Sequence, residues 1–240
     1  MLHAGPYSTW IVVDGTRLDT HSPIVYHNSR TNSSRVSGWI TSEAGKKFSL
    51  SWHNATRGVA LEAVVWIDGV ECSRHVMLPA CDFPDRPDTV RVSNTRTSEI
   101  NRRDFLFSAV QVTDSDEYAS SAGNVGAITL DLWRLHINRV VHRPLLHRLN
   151  GSSTMLEPQI VHERSKMDGM HHVRLGEEYS TPLPMVDMVD GERMDSDPYV
   201  SFTFNYRPRA PSSDKAADQS TAPTDSSRFN TSSDVNKPPH

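Results

Sequence analysis

Two apolar runs in this 240-residue chain each end in Asp-Gly. Trp10-Ile11-Val12-Val13 leads into Asp14-Gly15, and Val64-Val65-Trp66-Ile67 leads into Asp68-Gly69. A run of β-branched and aromatic residues closed by Asp-Gly is a strong hairpin signal, because both turn residues accept the positive φ that a tight turn demands. The rest of the chain follows suit. Phe48, Leu50 and Trp52 alternate with Lys47, Ser49 and Ser51, and Val200, Phe202, Phe204 and Tyr206 alternate with Ser201, Thr203 and Asn205. Period-two alternation gives a strand one core face and one solvent face.

Pro23 opens a short run, Ile24-Val25-Tyr26, and Leu61 to Ile67 is apolar almost throughout, as a central strand should be. In Gly126 to Ile137 the apolar face changes at Leu132-Trp133, which predicts a bulge or a strand leaving one sheet for another. Pro79 to Thr97, Thr113 to Gly126 and Pro182 to Pro198 read as loops. Val140 to Gly169 is broken by Pro144 and Pro158, with a short helical turn at Leu145 to Leu149. Roughly nine short strands and no long helix predict an all-β fold, an antiparallel β-sandwich or its jelly-roll variant, over residues 1–207. Residues 208–240 hold Phe229 and Val235 as their only large apolar groups, and read as a disordered tail.

Charge narrows the partners. With 25 basic and 29 acidic side chains the net charge is -4, against a general nucleic-acid binder. No cationic, apolar leader opens the chain and no stretch reaches the roughly 18 apolar residues of a membrane span. The expectation is an intracellular protein without a membrane. Cys72 and Cys81 fit a reducing compartment as two free, buried thiols, and the Asn-x-Ser/Thr sequons at Asn32, Asn54, Asn150 and Asn230 read as chance.

Trp10-Ile11 with Asp14-Gly15, Trp39-Ile40 with Ser42 to Lys46, Phe48 to Trp52, Asp68-Gly69, Phe105 to Ser108, Thr113-Asp114, Gly126 to Arg134, His172 to Gly176 and Pro198 to Arg207 form an ordered series. Over Tyr7 to Arg207 this series resembles a fungal, mainly basidiomycete, domain of unknown function numbered 7918. The resemblance implies a β-rich domain with a variable tail and no catalytic residues. A longer His-rich stretch, His142 to His171, departs from it.

Candidate sites are few. His136, His142, His147, His162, His171 and His172 have irregular spacings, and His171 and His172 point to opposite strand faces, so one metal ion is not expected. Thr113 to Glu117 lacks the EF-hand spacing for calcium. There is no Gly-x-Ser-x-Gly and no phosphate loop, so no catalytic residue and no cofactor is expected. The acid-free stretch Leu132 to Met155 carries Arg134, Arg139, Arg143 and Arg148, a candidate patch for an anionic partner. The acidic stretch Glu177 to Asp197 offers the alternative that the two neutralise each other. The five tryptophans fall in register with apolar residues, which predicts core packing over a sugar platform. The resulting expectation is a non-enzymatic sandwich acting through another protein. The alternatives are a carbohydrate- or ligand-binding sandwich and an enzyme with an unrecognised site.

Overall fold

The computed structural model describes residues 1–113, 125–145, 156, 160–162 and 170–209, with the backbone alone at 112 and 160–162. Residues 210–240 of the expected tail, most of the Thr113 to Gly126 loop and residues 146–149 of the helical turn lie outside the described residues, and Pro208, expected to open the tail, ends the last strand. Within them the protein is all-β, built from β1 (Leu2–Ala4), β2 (Tyr7–Val13), β3 (Thr16–Arg17), β4 (His21–Asn28), β5 (Ser33–Ser42), β6 (Phe48–Asn54), β7 (Ala60–Ile67), β8 (Val70–Met77), β9 (Thr89–Val92), β10 (Asn94–Arg96), β11 (Asn101–Ala109), β12 (Gln111–Thr113), β13 (Ala127–Pro144), β14 (Ile160–His162), β15 (His171–Ser180), β16 (Met185–Arg193) and β17 (Val200–Pro208).

One layer of the sandwich is a seven-stranded sheet in the order β4-β5-β17-β13-β7-β8, with β16 on the far half of β13. The other is β1-β2-β6-β9, with β3 on β2, continued by β10-β11-β15 through a bridge between Lys47 and Leu106. β17 runs parallel to β5, and β12 to β14, so the sandwich is mixed rather than wholly antiparallel. Ile128, Leu130, Leu132, Phe202, Phe204 and Val65 supply the large sheet's inner face and are fully buried. Phe48 stacks on Phe107 with ring centroids 4.4 Å apart, and Phe107 meets Tyr206 of the opposite layer at 5.2 Å.

The apolar phase switch in β13 is a change of partner. Residues Ala127 to Leu132 pair with β17, and residues from Leu135 onward pair with β16, with a register shift between Ile137 and Arg139. The acidic run expected as loop is therefore partly strand: β16 holds its place by backbone pairing, and it lacks apolar alternation because it lies largely outside the core. Pro79 to Thr97 likewise contains β9 and β10. Both are short, and β9, whose Val92 reaches the core, pairs with β6. Ser49 and Ser51 were expected in solvent and are buried, because β6 is central in its sheet and Arg91 covers Ser49 through a 2.9 Å bond from Nε to Oγ.

The two Asp-Gly turns diverge in use. Asp14 (φ 48°) and Asp68 (φ 50°) both adopt the left-handed conformation that closes the turn. Asp14 is exposed and meets Lys46 Nζ at 2.8 Å. The Asp68 carboxylate turns inward and accepts hydrogen bonds from the backbone N–H of Gly126 (2.8 Å), Ala127 (3.3 Å) and Val173 (2.9 Å), and from the Tyr206 hydroxyl (2.6 Å). One side chain thus ties the β7–β8 turn to β13, β15 and β17. Burial pushes its carboxyl above the usual range while the four donors hold it back.

Candidate functional site

β4 is an edge strand of the large sheet. The Met1 amino group donates to Thr20 Oγ1 at 2.7 Å, anchoring the segment that enters the strand. Gly38 of β5 lets that segment cross: a β-carbon there would lie 2.6 Å from Thr20 Cγ2 and 3.3 Å from the His21 carbonyl. Ser22 takes a positive φ (49°) and Pro23 follows, producing a register shift between His21 and Ile24. From Ile24 to Asn28 the strand then pairs regularly with β5, Val25 opposite Val36 and Tyr26 opposite Arg35. Ile24, Val25 and Tyr26 are 65%, 66% and 60% exposed. Val36 is buried on the inner face, so Val25 lies on that same face but overhangs the opposite layer.

The other edges differ. β8 carries Glu71 and Arg74, β9 carries Arg91, and β16 carries Asp187, Asp190 and Glu192. β1 has three residues. Charge and shortness are the ordinary means of keeping an edge from pairing with another chain. β4 has eight residues and no Lys, Arg, Asp or Glu.

The tryptophans correct the expectation of core packing. Trp52 alone joins the core cluster. Trp39, Trp66 and Trp133 lie on the outer face of the large sheet, out of phase with Ile40, Ile67 and Leu132, although Trp133 is buried there as expected. That parity was present in the sequence. Arg207 sits over Trp39 (5.1 Å), Arg193 over Trp133 (3.8 Å) and Arg17 over Trp10 (4.4 Å). Trp39 stays 40% exposed, next to β4.

The arginine patch is split. Arg134 pairs with Asp195 at 2.5 Å and lies over the Tyr199 ring at 4.5 Å. Arg139 and Arg143 sit on the far half of β13, opposite Asp190 and Val186. Arg148 lies outside the described residues. Strand pairing therefore sets the basic stretch directly beside the acidic one.

The histidines do not converge. His171 Nδ1 lies 2.8 Å from Ser42 Oγ. His172 points the other way and is fully buried, and burial pushes its pKa down. The side chains of His147 and His162 lie outside the described residues, as do Asp114 to Glu117 of the loop weighed for calcium. Among the described residues no three His, Cys, Asp or Glu side chains are placed to share a metal ion.

A wide, open cleft of about 780 Å³ separates the 79–86 segment from the far half of β13, with Cys81, His136 and Arg139 in its walls. Its Asp187 already pairs with Arg86 (2.7 Å) and lies 2.9 Å from His142 Nδ1, so that carboxylate is not free. Sequence reading also missed Arg57, which fixes this segment. Its guanidinium donates to the carbonyls of Leu78 (3.1 Å), Phe83 and Arg86. Both cysteines are free; Cys72 is buried, but Cys81 is exposed, contrary to expectation, because it sits in that open cleft. Asn54 is buried with its Oδ1 accepting the N–H groups of Thr56 and Arg57, so that sequon serves as a turn cap.

The sequence model of the domain of unknown function 7918 matches residues 8–211. The chain belongs to this family. The match spans every strand that builds β4's surroundings from β2 to β17. No curated protein and no solved structure matches the chain. No helix among the described residues is long and apolar enough to cross a membrane.

Proposed function

We propose that this chain is a non-enzymatic interaction module that pairs the free edge of β4 with an extended strand of a protein partner. The observation that carries the reading is a long, uncharged edge with three large apolar side chains uncovered, in a fold whose other edges are charged or short. An exposed edge presents unpaired N–H and C=O groups along every second residue, and an incoming strand satisfies them while its side chains contact Ile24, Val25 and Tyr26. Burying the remaining exposed surface of those three is worth roughly 3–6 kcal/mol. Association entropy offsets much of that. The binding is therefore weak and reversible unless the partner strand adds contacts of its own.

Trp39 favours a second reading, a ligand-binding sandwich with an aromatic on the outer face. Arg207 already lies over that ring at 5.1 Å, which competes with a stacked sugar. An acidic partner on the arginine stretch is the lesser candidate, since Asp195 already holds Arg134. An intracellular setting belongs to the proposal, supported by two unpaired cysteines.

A photo-crosslinking residue placed at position 25, and as a control at position 74 on β8, tests the reading in cells. Protein adducts at 25 and none at 74 support it. Equal yields at both, or none at 25, refute it.

A further inference from the structure

We infer that the β4 edge is filled by a second copy of this chain, the two strands running antiparallel about a two-fold axis through Val25. This rests on the reading just given and names its partner. Directly opposed residues of an antiparallel pair share a face, and a two-fold axis perpendicular to the sheet keeps each residue on its own face. The axis must therefore pass through a residue rather than between two, which leaves three apolar centres. An axis through Ile24 sets Val25 against Pro23 and Tyr26 against Ser22. An axis through Tyr26 sets Val25 against His27 and Ile24 against Asn28. An axis through Val25 sets Val25 against its own copy and Ile24 against Tyr26 twice, and so matches all three apolar residues with apolar partners. Aromatic–β-branched pairs of that kind are among the favourable cross-strand contacts.

Three further observations agree. Pro23, which has no N–H to give, falls opposite His27 at the margin of the paired segment rather than at its centre. Asp19 precedes β4 and Arg30 follows it, both exposed. Antiparallel pairing brings Asp19 of each copy to the end where Arg30 of the other lies, whereas parallel pairing would bring like charges together. Both faces of β4 are open, and Val25 overhangs the inner layer, so no other part of the described chain stands where the second copy's strand must lie.

Sedimentation velocity on the full chain tests this, with wild type, Val25→Lys, Val25→Glu and an equimolar mixture of the two variants. Position 25 is exposed in the single copy, so both variants retain the fold, checked by circular dichroism. Wild type is expected to shift from monomer to dimer as concentration rises. Each variant alone opposes like charges on the axis, and its dimerisation should weaken by about tenfold or more. Mixing restores it, because Lys then faces Glu. A wild type that stays monomeric, a variant that dimerises unchanged, or a mixture that fails to recover overturns the inference. The mass of the position-25 crosslink separates this outcome from the broader one. A wild type that remains monomeric but gives an adduct with a different protein leaves the interaction reading standing and removes the second copy. No adduct of either kind removes both.

Discussion

Replacing Asp68 with alanine removes the acceptor for four donors at once. The Val173 N–H and the Tyr206 hydroxyl belong to fully buried residues, so water cannot replace the carboxylate there. An orphaned buried donor costs about 1–3 kcal/mol, which makes about 2–6 kcal/mol for the pair. The Gly126 and Ala127 donors lie in partly exposed residues and recover solvent. Asp68 also holds a left-handed φ of 50°, which alanine tolerates less well, by about 1 kcal/mol. The sum, about 3–7 kcal/mol, is a large part of the 5–15 kcal/mol typical of a folded domain. Asp68→Asn keeps the turn and one acceptor oxygen but turns an amide N–H₂ toward a donor, and should lose about 1–3 kcal/mol. Asp14→Ala is the internal control: it closes the same kind of turn with no buried network behind it. Urea unfolding with an unchanged m value measures all three. Asp68→Ala falling within about 1 kcal/mol of Asp14→Ala would refute the view that this carboxylate joins β13, β15 and β17.

Other consequences are as direct. Arg57→Ala frees three carbonyls and should make the 79–88 segment the first site of limited proteolysis, which wild type resists. Burial disfavours the charged forms of His172 and His171 and pushes their pKa values below the ordinary 6.5. The unfolded chain then binds more protons, so stability should fall as pH drops below about 6.5. His172→Gln should flatten that part of the pH profile of the urea midpoint, and an unaltered profile would exclude His172 as its source. Burial pushes the Cys72 thiol up to about 12, and Cys81 is exposed. A thiol reagent should therefore modify one cysteine in the native protein and the second only after unfolding.

The strands that face the core were readable because their signal is geometric. Val200 to Tyr206 and the phase switch at Leu132-Trp133 state their burial in alternation, and Leu61 to Ile67 states it in a nearly unbroken apolar run. Strands outside the core carry no such signal. β16 is held by pairing with β13 and does not alternate, while β9 alternates but is only four residues long. Trp39, Trp66 and Trp133 are legible by parity, each one position out of phase with the buried Ile40, Ile67 and Leu132. The role of Asp68 was not legible, since its twin at Asp14 has the same local sequence and a different environment. The edge character of β4 is also hidden: Ile24-Val25-Tyr26 reads only as a short apolar run, and the sheet order shows that it lies at an edge.

Hydrogen exchange at the amides of Ile24 to Asn28 tests the β4 account most directly, with β8 amides followed alongside. In the full chain, alternate amides of the 24–28 segment should become protected as protein concentration rises and exchange rapidly again on dilution, while β8 stays unchanged. Fast exchange of the 24–28 segment at every concentration, or protection that dilution does not release, would contradict a strand edge open in one copy and closed by the next.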